Sequence, residues 1–260
     1  MENKKIIGIV GGLGPFAGID LVAKILDQTE ASRDQEHLPI VHMSFPADIG
    51  DRTQYLLKKV SINPAYEISK IILKLEQVGA SIAGISCNTA HSPQIFDVII
   101  EELKKANSKI KLFNMIEEVV EHIKSNYSDI KNVGILTTTG LYETGAYKAC
   151  MEKQGLNVIV PDEFMQKNII HNSIYDPNYG IKAKANPVTE QARKTLLDAI
   201  NYLISQNAQA IVLGCTEIGL AISETTIGNA IIIDSTKVLA RALIKEAAPE
   251  KLKKIIYFDK

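Results

Sequence analysis

Short runs of aliphatic residues recur along the chain and alternate with segments of helical periodicity. Runs of this length, rich in Ile and Val and followed by turn residues, are typical of strands buried on both faces of a sheet. The predicted strands are 6–10, 40–45, 81–86, 133–137, 158–160, 210–213 and 230–233. Between them, 65–78 and 189–206 place apolar residues on one helical face. This alternation predicts an α/β protein with mostly parallel sheets and right-handed crossovers.

Two motifs of the N-terminal half are repeated in the C-terminal half. Residues 6–14 align with 132–140 at an offset of 126, and residues 79–89 align with 207–217 at an offset of 128. Because the two motifs keep their order and nearly the same offset, they indicate two similar lobes. Chance similarity between aliphatic strands that end in glycine is the alternative.

The repeat leads to a prediction of domain organisation. The first lobe is predicted to span residues 1–115 and to be completed by 224–260, with 116–223 forming the second lobe. We expect the strand at 231–233 and the helix from Ser235 to return to the first lobe.

Composition excludes several classes of protein. Hydrophobic residues make up 46% and charged residues 23%, as in ordinary globular proteins. The net charge of −1 provides no basic field for nucleic acid or an anionic membrane. The chain lacks a signal-peptide core and any apolar run of about 20 residues, so we expect a cytoplasmic protein. Three cysteines, an odd number, argue against a disulfide framework.

Two of the cysteines occupy matched positions in the repeat. Cys87 and Cys215 each stand where a predicted buried strand gives way to a predicted helix. Ligands bind at this end of such strands, and a helix N-terminus lowers the pKa of a thiol. Two thiols across a cleft can remove a proton from one face of a carbon and return one to the other face, which is racemase chemistry. The alternative is two buried structural thiols; Cys150 has no counterpart and is interpreted as packing.

Four motifs together resemble the cofactor-independent aspartate/glutamate racemase superfamily, and within it the aspartate racemases. They are Gly-Gly-Leu-Gly-Pro at 11–15, Asp-Arg-Thr at 51–53, Cys-Asn-Thr-Ala-His at 87–91 and Leu-Gly-Cys-Thr-Glu-Ile at 213–218. The resemblance implies two flavodoxin-like lobes related by a pseudo-two-fold axis, with the active site in the cleft between them. It also implies a homodimer that needs neither pyridoxal phosphate nor a metal.

The resemblance implies roles for individual residues. Cys87 and Cys215 would be the paired base and acid. Contacts with the substrate are expected from Arg52, on the side-chain carboxylate, and from Asn88, Thr89, Thr216, Lys182 and Gly12. Lys184 competes with Lys182, because the segment before them is longer than in the simplest members of the superfamily.

Several of these residues also have simpler interpretations. His91 and Glu217 are weaker candidates, since His91 could stabilise a helix start and Glu217 could cap one. Arg52 could be solvated in a polar loop. Zinc ligation by Cys87 and His91 would need two further ligands, and none is evident.

Residues 12–17 formally fit the dinucleotide fingerprint G-x-G-x-x-A. Pro15 removes a donor from that turn and no acidic residue ends the second strand, so we expect these glycines to approach a small ligand instead.

The matched cysteines and the resemblance together predict a racemase for aspartate, with glutamate as the other candidate substrate, that works by two-thiol proton transfer. A non-catalytic protein that binds a small dicarboxylate is the alternative, and a nucleotide-binding oxidoreductase ranks third.

Overall fold

Parallel strands form two separate sheets in the computed structural model, which describes residues 5–254. Residues 1–4 and 255–260, at the two ends of the predicted first lobe, lie outside this range. Among the described helices, none combines the length and the hydropathy needed to cross a membrane.

The first half of the chain contains β1 (Ile6–Gly11), α1 (Pro15–Gln28), β2 (Ile40–Ser44), α2 (Arg52–Leu56), α3 (Ala65–Gln77), β3 (Ala80–Ile85), α4 (Pro93–Lys105) and β4 (Lys111–Leu112). Helix α5 (Met115–Asn126) follows β4 and ends the first half, and the second half contains β5 (Asn132–Thr137), α6 (Thr139–Thr144), α7 (Ala146–Glu152), β6 (Asn157–Ile159), α8 (His171–Tyr175), α9 (Glu190–Ser205), β7 (Ala210–Gly214), α10 (Ile218–Ala221), β8 (Thr226–Ile227), β9 (Ala230–Asp234) and α11 (Ser235–Ala247). Short 3₁₀ turns occupy Asp34–Glu36, Asn88–His91 and Pro249–Lys251, and a π-helical turn occupies Met165–Ile170.

The two sheets have corresponding strand orders. The first is β2-β1-β3-β4 and the second is β6-β5-β7-β9-β8, in which β8 runs antiparallel to β9. Ile9 pairs with Gly84 in the first sheet and Ile135 pairs with Val212 in the second. These pairs are related by the offsets of 126 and 128, so the sequence repeat is a repeat of structure. The predicted α/β class with two parallel-dominated lobes is confirmed.

Burial separates central strands from edge strands. In β1, β3, β5 and β7 nearly every residue is buried, as predicted. Strand β2 differs, because it lies at a sheet edge and its residues are only half-buried or exposed. The predicted apolar faces of α3 and α9 lie in the two cores: Ile68, Ile71, Ile72 and Leu75 in the first, and Ala192, Leu196, Ala199, Ile200 and Leu203 in the second.

Each half of the chain contributes its last helix to the core of the other half. Helix α5 follows β4 of the first sheet, yet it packs Ile116 and Val119 against Val133 of β5. Helix α11 follows β9 of the second sheet and packs Leu239 and Leu243 in the core beside β1. The helix from Ser235 therefore returns to the first lobe, as predicted.

The strand before α11 departs from the prediction. Residues 231–233 were expected to complete the first lobe, but β9 pairs in parallel with β7, with Ala210 opposite Ile231. It takes the place beside β7 that β4 takes beside β3. The chain changes lobe immediately afterwards, at Asp234, which caps α11 and forms an ion pair with Lys24 of α1.

The two lobes also meet where α2 packs against α6. A Cβ added to the buried Gly140 of α6 would lie 2.8 Å from Cα of Thr53 in α2. Glycine at this position therefore permits the closest approach of the two helices.

We predict that Gly140→Ala lowers the free energy of unfolding by about 1–3 kcal/mol, because the added methyl group overpacks this contact. Urea denaturation measures the effect. Gly50→Ala is the matched control, since a Cβ at the exposed Gly50 meets nothing within 4 Å. Equal stability of the two variants would contradict this account of the α2–α6 contact.

Candidate active site

Cys87 and Cys215 occupy equivalent positions at the carboxyl ends of β3 and β7. Cys87 precedes the 3₁₀ turn Asn88–His91, and Cys215 lies three residues before the four-residue helix α10. The two residues are 6% and 2% exposed, so both thiols are shielded from solvent. The expected junctions between strand and helix are present, but the helical segment at each is only about one turn long.

The turns that carry the two cysteines touch each other across the lobes. Oγ1 of Thr216 lies 3.3 Å from the backbone carbonyl oxygen of Ser86, and its single hydroxyl proton is shared between this oxygen and Oε2 of Glu217. Beside this contact, the hydroxyls of Thr89 and Thr138 are 2.9 Å apart. Because Ser86 and Thr216 are chain neighbours of Cys87 and Cys215, these bonds bring the two thiol-bearing turns to one place.

A buried ion pair lies next to Cys215. The Glu217 side chain is 4% exposed and pairs with Nζ of Lys182, whose side chain is 21% exposed. Its other oxygen, Oε2, accepts hydrogen bonds from the Cys215 thiol at 3.2 Å and from Oγ1 of Thr216 at 3.1 Å. A Cβ at Gly14 would overlap Oε1 of Glu217, so the glycine motif is pressed against this carboxylate.

The charges in this cluster set its protonation. Burial raises the pKa of Cys215 well above its ordinary value, and the neighbouring Glu217 carboxylate adds to the effect. Burial opposes the charges of Glu217 and Lys182, but their mutual attraction outweighs it, so the pKa of Glu217 is lowered and that of Lys182 is raised. At neutral pH the cluster therefore holds a protonated thiol beside a charged pair.

This finding corrects the expectation that a helix N-terminus lowers the pKa of both thiols. Helix α10 begins only at Ile218 and has four residues, whereas the negatively charged Glu217 carboxylate is hydrogen-bonded to the Cys215 thiol. A full charge in contact outweighs the partial charge of a short helix.

Arg52 lies on the other side of the site. It begins α2 and is 9% exposed, so the interpretation as a solvated loop residue is wrong. Its guanidinium donates to the carbonyls of Leu13 at 2.6 Å and Gly50 at 3.1 Å, and it interacts electrostatically with Cys87. Among the described residues its buried Nε has no hydrogen-bond partner. A positive charge with an unused donor thus faces the site.

Asn88 is held by Tyr147 of the other lobe and by Ser235 at the start of α11. Its Oδ1 accepts a 2.5 Å hydrogen bond from the hydroxyl of Tyr147, and its Nδ2 donates to Oγ of Ser235 at 2.8 Å. Ser235 in turn donates to the carbonyl of Leu213 at 2.7 Å. Both ends of the Asn88 amide are engaged in this conformation, so its side chain orients the Cys87 turn.

The remaining candidates have structural contacts. Nδ1 of His91 lies 2.8 Å from the Cys87 carbonyl, and burial lowers the pKa of this imidazole to about 4. His91 therefore supports the turn as a neutral ring. Gly12 has a φ of 83°, and a Cβ there would lie 3.0 Å from the backbone nitrogen of Phe45. Glu217 makes no side-chain capping bond to α10, so the capping interpretation is wrong.

Lys182, rather than Lys184, belongs to the cluster. Lys184 is exposed, whereas Lys182 reaches Glu217. Within residues 5–254, no group of three or more His, Cys, Asp or Glu side chains is arranged to hold a metal ion.

Three residues that help to build the site were not predicted as site residues. They are Thr53, Tyr147 and Tyr175. Tyr175 of α8 donates a 2.8 Å hydrogen bond to Oγ1 of Thr53 across the lobes. Thr53 lies in the Asp-Arg-Thr motif, but that motif does not identify its partner. A lone tyrosine outside a motif carries no signal of such a contact, which depends on tertiary packing.

Known proteins resemble this chain in sequence and in fold. A family model described as Asp/Glu/Hydantoin racemase matches residues 10–243. The solved structure of Picrophilus torridus aspartate racemase is 34% identical, with 96% of each chain covered and a TM-score of 0.79. An aspartate racemase homologue from Pyrococcus horikoshii is 21% identical, with 94% of this chain and 99% of that chain covered and a TM-score of 0.70.

A glutamate racemase from Francisella tularensis, solved in complex with D-glutamate, is 17% identical. The match covers 98% of this chain and 86% of that chain, with a TM-score of 0.60. At these lower identities, the Pyrococcus and Francisella proteins show a shared fold.

The ion pair at Cys215 generates a stability prediction. Lys182→Met should lower the free energy of unfolding at pH 7 by about 3 kcal/mol, because it leaves the Glu217 carboxylate buried without its partner. Adding Glu217→Gln should restore most of the loss. Urea denaturation measures both variants, and Lys194→Met, which removes an exposed ion pair with Asp198, should have little effect.

The pH dependence follows from the directions of the pKa shifts. The lowered pKa of Glu217 gives stability that is present above about pH 4.3 and is lost as the pH falls through its folded value. The raised pKa of Lys182 gives stability that is present below about pH 10.4 and is lost at higher pH. The stability lost in Lys182→Met should therefore shrink as the pH falls through the folded pKa of Glu217. A loss that stays the same over this pH range would contradict the assignment.

Proposed function

This chain belongs to the Asp/Glu/hydantoin racemase family, and we propose that it racemises aspartate by passing the α-proton between the thiols of Cys87 and Cys215. Family membership makes it an isomerase that acts on amino acids without pyridoxal phosphate. The observation that carries the finer proposal is the contact between the two thiol-bearing turns through Thr216 and Ser86.

Proton transfer requires one thiolate and one thiol on opposite faces of the α-carbon. The thiolate of Cys87 takes the proton from Cα, and the electron pair left behind spreads onto the α-carboxylate. Cys215, whose pKa is raised by burial and by Glu217, then gives its proton to the other face of Cα. The two sulfurs exchange protonation states in each turnover, so the reverse reaction starts with Cys215 as the base.

The α-proton of an amino acid is a very weak acid, and the thiols alone do not supply the whole rate. A positioned general base or acid contributes about 10²- to 10⁴-fold, or about 3 to 5.5 kcal/mol for each role. The remainder has to come from donors at the α-carboxylate as negative charge develops there. The hydroxyls of Thr89 and Thr138, paired between the lobes, are two such donors at the Cys87 turn.

Two cations suit a substrate with a second carboxylate. The buried guanidinium of Arg52 has an unused donor at Nε, and Lys182 adds a second positive charge. Together they offset part of the cost of moving two carboxylates out of water. The similarity to Picrophilus torridus aspartate racemase supports aspartate over glutamate as the preferred substrate.

Substrate entry requires the lobes to separate. The hydrogen bonds between Thr89 and Thr138 and from Tyr175 to Thr53 close the cleft, and both thiols are buried behind them. Reclosure over the substrate would exclude water and strengthen every charge interaction with the carbanion.

We predict that Cys87→Ser and Cys215→Ser each lower the racemisation rate of L-aspartate by at least about 10²-fold, because each removes a positioned acid or base. Chiral chromatography without added cofactor measures the rate, and a panel with L-glutamate measures the preference. Cys150→Ser is the matched control: Cys150 is half-buried, packs against the core of the second lobe and should leave the rate unchanged.

A thiol variant that keeps near wild-type turnover would overturn the two-thiol mechanism. Aspartate binding to the wild-type protein without any turnover would instead favour a non-catalytic dicarboxylate-binding protein.

A further inference from the structure

Tyr175 lies at the centre of the site, although no motif includes it. Its hydroxyl donates to Oγ1 of Thr53, the residue that follows Arg52 in α2. The same hydroxyl is within electrostatic range of Lys182 and Cys215. One phenol therefore lies among the cations assigned to the substrate and next to one of the thiols.

Neighbouring side chains hold the ring of Tyr175 in place, whereas its hydroxyl donates to a weak acceptor. His171 stacks on the ring with centroids 4.8 Å apart, and Nζ of Lys182 lies 5.7 Å from the ring centroid. The hydroxyl, by contrast, is bound to a neutral threonine. Hydrogen bonds to charged groups are about twice as strong as neutral ones, so a carboxylate beside Arg52 would compete well for this donor.

A cavity open to solvent lies beside His171, the residue that stacks on this ring. It has a volume of about 350 Å³ and lies between the segment after α2 and the π-helical turn with α6. The cavity is lined by Leu57, Lys59, Thr139, Glu143, Lys167 and His171. Lys167 in this lining forms ion pairs with Glu143 and Glu163, and His171 connects the cavity to Tyr175 by stacking.

We propose that Tyr175 is a specificity-determining residue whose hydroxyl leaves Thr53 and donates to the side-chain carboxylate of the substrate beside Arg52. This assignment rests on the proposed function, since it places a dicarboxylate between the thiols. Burial raises the pKa of Tyr175, so its hydroxyl stays protonated at neutral pH and remains a donor. Arg52 supplies the charge, with its buried and unpartnered Nε, and Tyr175 supplies a directional hydrogen bond.

A simple alternative is that the Tyr175–Thr53 bond is only a strut between the lobes. The two accounts differ for the partner residue. If the bond only joins the lobes, Tyr175→Phe and Thr53→Val both remove it and should have equal effects. If the Tyr175 hydroxyl donates to the substrate, Tyr175→Phe removes that donor, whereas Thr53→Val frees the hydroxyl to reach the substrate. Both substitutions keep the size of the side chain, which matters because Thr53 packs against Gly140.

Titration calorimetry with succinate, a dicarboxylate that cannot be racemised, measures the difference. We expect Tyr175→Phe to weaken succinate binding about tenfold or more and Thr53→Val to bind it at least as tightly as the wild type. The double variant should match Tyr175→Phe alone. With L-aspartate, Tyr175→Phe should raise KM by a similar factor while kcat changes much less. Tyr142→Phe, which loses a bond to the Pro161 carbonyl outside the site, is the control.

Equal and non-additive weakening in the two variants would overturn the assignment and establish a strut. Unchanged succinate binding in Tyr175→Phe, or no binding by the wild type, would also overturn it. If Tyr175→Phe fails to fold, Thr53→Val still decides, because only the strut predicts weaker binding. A wild type that binds succinate but racemises no amino acid would contradict the proposed function, and the dissociation constants would still test Tyr175.

Discussion

The exchange of terminal helices between the two lobes is the constraint on which the rest of the structure depends. Helix α5 follows the first sheet and covers the second, and α11 follows the second sheet and covers the first. Neither core is complete without a helix from the other half of the chain. The carboxyl ends of β3 and β7 are thereby kept face to face, and the Thr216–Ser86 hydrogen bond closes the distance between their turns.

Equivalent backbones carry unlike charges in the two lobes. Cys87 has the guanidinium of Arg52 beside it, and Cys215 has the carboxylate of Glu217. The repeat thus produces a symmetric pair of thiols, and the residues around them give the two thiols neighbours of opposite charge. In the proposed mechanism this difference is useful, since a reaction that begins with one thiolate and one thiol needs the two sulfurs to be distinguished. The ion pair with Lys182 offsets the desolvation cost of the buried Glu217 carboxylate.

Much of the fold could be predicted from the sequence, because strand burial and helical periodicity are local patterns. The repeat predicted the two lobes, and the motifs predicted which residues meet at the site. The strand at 231–233 was placed in the wrong lobe, since its apolar run fits either sheet and pairing with β7 decides. The contacts of Glu217 and Tyr175 could not be predicted from local patterns either, because they join residues that are 35 and 122 positions apart in the chain.

Racemisation of L-aspartate in D₂O tests the two-thiol mechanism most directly. Samples taken early in the reaction are separated by chiral chromatography, and deuterium at Cα is measured by mass spectrometry in each enantiomer. Two thiols on opposite faces predict deuterium in the D-aspartate formed and almost none in the remaining L-aspartate. Equal label in both enantiomers would indicate a single base, and D-aspartate without deuterium would contradict proton transfer through exchangeable thiols.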